Sequence, residues 1–143
     1  NAAWYAWQKG NVGDAGKLSV KSMKVWKKLL GKEHRDTINS MAMVGLAEKL
    51  AGRWKEAEEL DVQVMETRKR VLGEEHLDTL TSMNNLAFTL KGQGLIIRAI
   101  SLMENCCRLR TEVLGPQHPF TISSREALAT WQLEAMETSK QNV

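Results

Sequence analysis

Three histidines, His34, His76 and His118, are the residues most able to do chemistry, because imidazole binds metal ions and moves protons near neutral pH. They stand 42 residues apart, so separate elements would carry them. Ligands of one zinc ion must each come within about 2 Å of it. No thiol or carboxylate recurs at a fixed local spacing around all three. Each histidine is therefore expected to fasten a loop through hydrogen bonds, and no metal site is expected.

The remaining reactive residues reduce to packing in the same way. Cys106 and Cys107 are adjacent and are the only cysteines, so they cannot staple distant segments. No histidine lies nearby in sequence to activate a thiolate. A shift of 42 places them on Val64 and Met65, which marks the positions as apolar. Unpaired thiols suit a reducing compartment, and the expected location is cytoplasmic. The stretch Gly10-Asn11-Val12-Gly13-Asp14-Ala15-Gly16-Lys17 resembles a phosphate-binding loop only superficially. That motif needs four residues between its glycines and a Ser or Thr after the lysine. Here five residues intervene and Leu18 follows Lys17, so a turn between helices is expected. No acid–base pair or nucleophile set recurs at usable spacing. The chain is read as neither an enzyme nor a cofactor binder.

Charge and composition narrow the classes further. The 143 residues are 43% hydrophobic and 26% charged, too apolar for a disordered chain. Twenty basic and 17 acidic residues are interspersed, giving a net charge of +3. Nucleic-acid binders concentrate basic charge on one face. The run Arg68-Lys69-Arg70, flanked by Glu66, Glu74 and Glu75, reads instead as a solvated helix end, so no nucleic-acid partner is expected. No apolar run approaches the roughly 20 residues that span a bilayer, and no membrane partner is expected. The chain starts at Asn1 with no signal-like segment, and it is read as part of a longer intracellular protein.

The elements that must position all these residues are repeats. A shift of 42 puts Leu30-Gly31 on Leu72-Gly73 and Leu114-Gly115, Thr37 on Thr79 and Thr121, and Ser40 on Ser82 and Ser124. Gly10, Gly52 and Gly94 follow the same register, as do Ala15, Ala57 and Ala99; Arg68 falls on Arg110. The reading is one domain, 1–143, with partial repeats 1–29 and 114–143 and full repeats 30–71 and 72–113. Each unit reads as two helices. Asp36-Thr37 and Asp78-Thr79 are placed to cap the first, and Leu80, Met83, Leu86, Ala87 and Leu90 recur at helical spacing. Trp54, Ala57, Leu60, Val64 and Val71 give the second helix an apolar face, with Glu66 and Arg70 able to pair outside. Gly73 and Gly115 suit a left-handed conformation past a helix end. The expected helices are about 1–9, 14–30, 37–51, 55–71, 79–92, 97–113 and 121–137. Gly45, Ala87 and Ala129 would let paired helices approach closely. Such pairs bury their apolar faces only by stacking. The expected fold is therefore all-α: a right-handed α-solenoid of antiparallel helix pairs, seven helices in all, with first helices lining a concave side.

These residues resemble the tetratricopeptide family, with a small residue midway along the first helix and an alanine early in the second. The usual period is about 34 residues. The longer unit here, carrying L-G-x-x-H-x-x-T, looks like the kinesin-light-chain type of repeat. The stretches Arg53-Trp54-Lys55-Glu56-Ala57-Glu58 and Leu72-Gly73-Glu74-Glu75-His76 look like arrays at the C-terminal end of fungal NLR-like (NACHT or NB-ARC) signalling ATPases. The resemblance implies a protein-binding scaffold, the sensing or adaptor part of a larger protein. It also implies that an asparagine on the first helix holds the backbone of an extended peptide. Asn85 occupies that position; Met43, Ala127 and Asn1 are its counterparts.

Helical geometry puts Asn39, Met43, Leu46 and Lys49 on the concave side, then Thr81, Asn84, Asn85, Phe88 and Lys91, then Glu126; Trp4 and Trp7 precede them. Lys49 and Lys91 would attract an acidic peptide while Leu46 and Phe88 offer apolar pockets. A second surface is suggested where Leu95-Ile96-Ile97-Arg98 replaces Arg53-Trp54-Lys55-Glu56. Apolar residues at outward positions mark association surfaces, which gives homo-oligomerisation, through Leu95, Ile96 and Ile97 or through the open ends of the solenoid, as the alternative function. Local repacking of Ile96 in the Trp54 position explains the same residues.

Overall fold

The computed structural model describes residues 12–141, with side chains from Val20 onwards. The expected helix 1–9, with Asn1, Trp4 and Trp7, and residues Gly10-Asn11 lie outside the described residues. Every regular element among the described residues is an α-helix. The order is α1 (Val12–Leu30), α2 (Arg35–Leu50), α3 (Trp54–Leu72), α4 (Leu77–Gly92), α5 (Ile96–Leu114) and α6 (Pro119–Gln141). The chain forms two compact units, Asn1–Leu72 and Gly73–Val143.

The segment L-G-x-x-H has a physical explanation. Gly31, Gly73 and Gly115 take φ of 88°, 99° and 88°. The carbonyl of each accepts from the histidine N–H three residues on, at 3.4–3.5 Å. The imidazole Nδ1 then accepts from the N–H two residues further on: Asp36 at 3.1 Å, Asp78 at 3.0 Å and Phe120 at 3.1 Å. These bonds satisfy amides that the first turn of a helix leaves open. The histidines thus hold the loops as expected, but they also take the capping role assigned to Asp36-Thr37 and Asp78-Thr79. The helices start about two residues earlier as a result, and Thr37, Thr79 and Thr121 are fully buried. Gly115 has ψ 160°. It therefore lies in the extended positive-φ region that only glycine adopts readily, not in the left-handed helical region expected.

In the first unit α1 packs on α2 and α2 on α3. Ile38 and Met41 of α2 and Val64 of α3 form its core, with Met23, Ala42 and Leu60 packed against them. Burying a side chain of this size stabilises by about 1.5–3 kcal/mol. In the second unit α4 packs on α5 and α5 on α6. Leu80, Leu86, Ala87, Leu90, Ala99, Met103, Cys106, Cys107 and Trp131 are buried there. The Cys106 thiol donates to the Leu80 carbonyl at 3.5 Å. Burial raises both thiols above their ordinary range, and Cys107, with Cys106 beside it, is pushed up to about 11.

Three packing expectations need correction. Val71 is exposed rather than on the apolar face of α3, because α3 outruns the helix it packs on. Arg70 pairs with Glu33 rather than Glu66. Ala129 is exposed, since no helix after α6 covers it among the described residues, whereas Gly45 and Ala87 are buried.

Gly45 shows why its helix pair needs a residue without a side chain. A Cβ there would lie 2.9 Å from Asp61 Oδ1 and 3.6 Å from Leu60 Cβ. Gly45→Val is expected to destabilise the protein by about 1–3 kcal/mol through overpacking, read as a lower urea midpoint. The thiols give a second expectation. The folded pKa of Cys107 is raised, so its stabilisation is whole below 9.0 and is lost as pH rises towards about 11. Unfolding free energy should fall across that window, and Cys107→Ala should flatten the fall.

Candidate functional site

Asn39, Met43, Leu46 and Lys49 lie along α2 at spacings of four, three and three, so they share one stripe of the helix. Asn39 is exposed, and its side-chain oxygen accepts from Arg68 Nη2 at 3.0 Å. Met43 is half-buried and Leu46 is 45% exposed. Lys49 Nζ lies 3.2 Å from Asp61 Oδ2, and these side chains are only 14% and 6% exposed. The pair sits directly beside Gly45, the carboxylate filling the space a side chain would take.

The second unit treats the equivalent stripe on α4 differently. Thr81 is exposed, while Asn84 and Asn85 are half-buried. Asn84 Oδ1 accepts from Ser124 Oγ at 3.1 Å and from Arg110 Nη1 at 3.4 Å. Arg110, 5% exposed, also donates to Ser124 Oγ at 2.6 Å and to the Phe120 carbonyl at 3.1 Å. Its guanidinium carbon lies 5.4 Å from the Phe120 ring centroid, a favourable cation–π arrangement. The network ties α4, α5 and α6 together. The Asn85 carbonyl accepts from the Thr89 hydroxyl at 3.0 Å. Phe88, 45% exposed, meets Trp131 edge-on with centroids 5.0 Å apart. Lys91 Nζ lies 2.9 Å from Glu134 Oε2 of α6. Glu126 is exposed on α6.

The structure thus brings Asn84, Phe88 and Lys91 against α6 and joins Asn39 and Lys49 to α3. The lysines expected to draw an acidic partner both have carboxylate partners within their own units. Arg68 is buried and bonded to Asn39, so the run Arg68-Lys69-Arg70 is not wholly solvated as expected. Its 42-residue match with Arg110, which is buried as well, carried the signal for a structural arginine. Asp61 and Glu134 had no such signal, because no acidic residue stands at the corresponding positions of the other repeats. Trp131 likewise stands where the two full repeats have Ala47 and Thr89. At the start of α5, Leu95 is 37% and Ile97 70% exposed. Ile96 is half-buried, as is Trp54 at the corresponding place on α3.

The two ion pairs should differ in cost. Lys49→Met strips the ammonium from a buried carboxylate and is expected to lose about 3–5 kcal/mol. Lys91→Met opens a pair that is 29% and 45% exposed, and the expected loss is below about 1 kcal/mol. Thermal unfolding of the two variants checks both.

Comparison with known proteins places this geometry. The tetratricopeptide repeat family matches twice, over residues 1–70 and 79–120. No curated protein sequence matches. Among solved structures, kinesin light chain nearly identical TPR-like repeats of Podosopora anserina align over 91% of this chain at 28% identity and TM-score 0.84. A single-substitution form of those repeats aligns over 97% at 26% identity and TM-score 0.87. BtubC (BKLC) from P. vanneervenii shares the fold over 97% of this chain, with TM-score 0.88 and 17% identity. The chain spans 62%, 66% and 56% of those three chains. Described helix pairs, family matches and structural neighbours therefore agree that this chain is made of tetratricopeptide repeats, with kinesin-light-chain-like arrays as its structural neighbours.

Proposed function

We propose that this chain is a protein–protein interaction scaffold that binds a peptide or protein segment on the exposed stripes of α2 and α4. Repeat arrays of this kind expose binding surfaces that their stacked cores do not consume. One observation carries the reading. Leu46 and Phe88 stand 42 residues apart, each 45% exposed, on stripes where the side chains of Asn39, Lys49, Asn84 and Lys91 are engaged within their units. Large apolar side chains left open at one position in both repeats are suited to contact another molecule. Asn39, Met43, Lys49, Thr81, Asn84, Asn85, Lys91 and Glu126 flank them on this reading.

The repeat is taken as 42 residues, with full units 30–71 and 72–113 in a single domain. Helix starts at Arg35, Leu77 and Pro119, and at Trp54 and Ile96, support that register. Within a larger signalling protein, a partner bound here would serve a sensing or adaptor role of the NLR-like kind. A second reading is homo-oligomerisation through Leu95, Ile96 and Ile97, favoured by the 70% exposure of Ile97 on the first turn of α5.

One set of variants separates the two. A partner isolated with this chain and then titrated directly should bind Leu46→Ser plus Phe88→Ser at least about tenfold more weakly. Leu95→Ser plus Ile97→Ser should leave that affinity unchanged, and the sedimentation coefficient should not vary with protein concentration. Unaltered affinity in the first variant rejects the α2 and α4 stripes as the site. Concentration-dependent sedimentation abolished by the second variant establishes the alternative.

A further inference from the structure

Resting on the α4 half of that reading, we propose that the second unit takes a basic segment, in which lysine or arginine residues flank an apolar side chain seated on Phe88. The site lies wholly on α4 and α6 of that unit. Phe88 is 45% exposed, and its ring packs on Trp131 with centroids 5.0 Å apart. An exposed aromatic ring accepts apolar carbon and also attracts a cation to its face. The charge around it therefore decides which ligand it takes.

Glu126, Thr130, Glu134 and Glu137 follow one another at spacings of four, four and three on α6, which puts them on one stripe. Glu134 fixes the direction of that stripe, because its carboxylate reaches Lys91 of α4 at 2.9 Å. Trp131, next to Thr130, packs on Phe88, so the stripe passes beside the ring. Glu126 lies about one turn before that level and Glu137 about two turns after it, both exposed. Asp78, exposed as well, begins the stripe on α4. Lys91 is held by Glu134, and Lys140 stands a turn beyond Glu137. Arg125 is on the side of α6 turned towards α5, where its charge acts on Cys107. On these stripes four carboxylates (Asp78, Glu126, Glu134 and Glu137) face two ammonium groups, those of Lys91 and Lys140, and the excess is negative. An acidic segment meets that excess as like charge, a neutral one leaves it unused, and a basic one is drawn to it. Glu126 and Glu134 are eight residues apart, about 12 Å along the helix. An extended segment covers that distance in about four residues. Basic residues at that separation, with the apolar anchor between them, fit the site.

The test uses three labelled peptides of equal length, each with a central Leu and with Lys, Ser or Glu at the flanking positions. Each is titrated by fluorescence anisotropy at low and at high salt. The chain as a whole carries a net charge of +3, so overall charge opposes the Lys peptide and its binding reports the local stripe. The Lys peptide is expected to bind tightest, at least about tenfold tighter than the Glu peptide at low salt, with the margin shrinking at high salt. Glu126→Gln plus Glu137→Gln, both at exposed positions, should cut its affinity about fivefold or more and leave the Ser peptide within about twofold. Phe88→Ser, shown to be folded by its helical circular dichroism, should weaken the Lys peptide about tenfold or more. Tightest binding by the Ser or the Glu peptide, or Lys-peptide binding that ignores Glu126→Gln plus Glu137→Gln, overturns the inference. If that binding is still lost with Phe88→Ser, the scaffold reading of α4 stands without it. Binding of none of the three, or binding that ignores Phe88→Ser, overturns the inference and the α4 half of the reading together.

Discussion

A helix of a two-helix repeat can bury only one side, and it gains from doing so only if its neighbour comes close. The rest of this structure depends on that constraint. At Gly45 the approach is so tight that a single added carbon would lie 2.9 Å from Asp61. Ala57 and Ala99, both with no exposed surface, keep α3 and α5 equally narrow where they are fully enclosed. Small residues set the spacing. The larger core residues, Ile38, Met41 and Val64 in one unit and Leu80, Met103 and Leu90 in the other, then fill what remains. The loops are held to the same geometry by three glycines with positive φ and three histidine caps.

Within that frame the two units solve one position in different ways, and the difference reaches the surface. The first unit combines Gly45 with a buried Asp61, which then holds Lys49. The second has Ala87 and Met103 at the corresponding positions, both buried and apolar. With no carboxylate at that place on α5 to receive it, Lys91 extends to Glu134 on α6. An apolar core thus moves a salt bridge outward by one helix. Either way the lysine is neutralised, and Leu46 and Phe88 remain as large apolar side chains open on their stripes. The surface chemistry follows from a packing choice made in the core.

Much of the fold was legible in the sequence because it repeats. Glycines, histidines and alanines at matched positions report backbone conformations and close contacts that depend on few neighbours, and most of their roles came through, Gly115's conformation and Ala129's close contact being the exceptions. The caps were misassigned because Asp36 and Asp78 are good capping residues by type, while an imidazole accepts the same bond when the turn presents its Nδ1. The site was less legible. The stripes on α2 and α4 could be drawn from helical spacing, but the state of each side chain could not. Lys49 and Lys91 look alike in sequence. Their partners come from residues 12 and 43 positions further along, and neither Asp61 nor Glu134 recurs in the repeat. Arg68 hid inside a basic run, although its match with Arg110 marked it as structural.

The most direct test of the central claim is to map ligand-induced nuclear magnetic resonance shifts, with side-chain labels on Leu, Ile and Phe, while a peptide from an isolated partner is added. The account predicts saturable shifts centred on Leu46 of α2 and Phe88 of α4, with Ile97 undisturbed. Shifts centred on Leu95 and Ile97, or none at Leu46 and Phe88 at saturation, would contradict it.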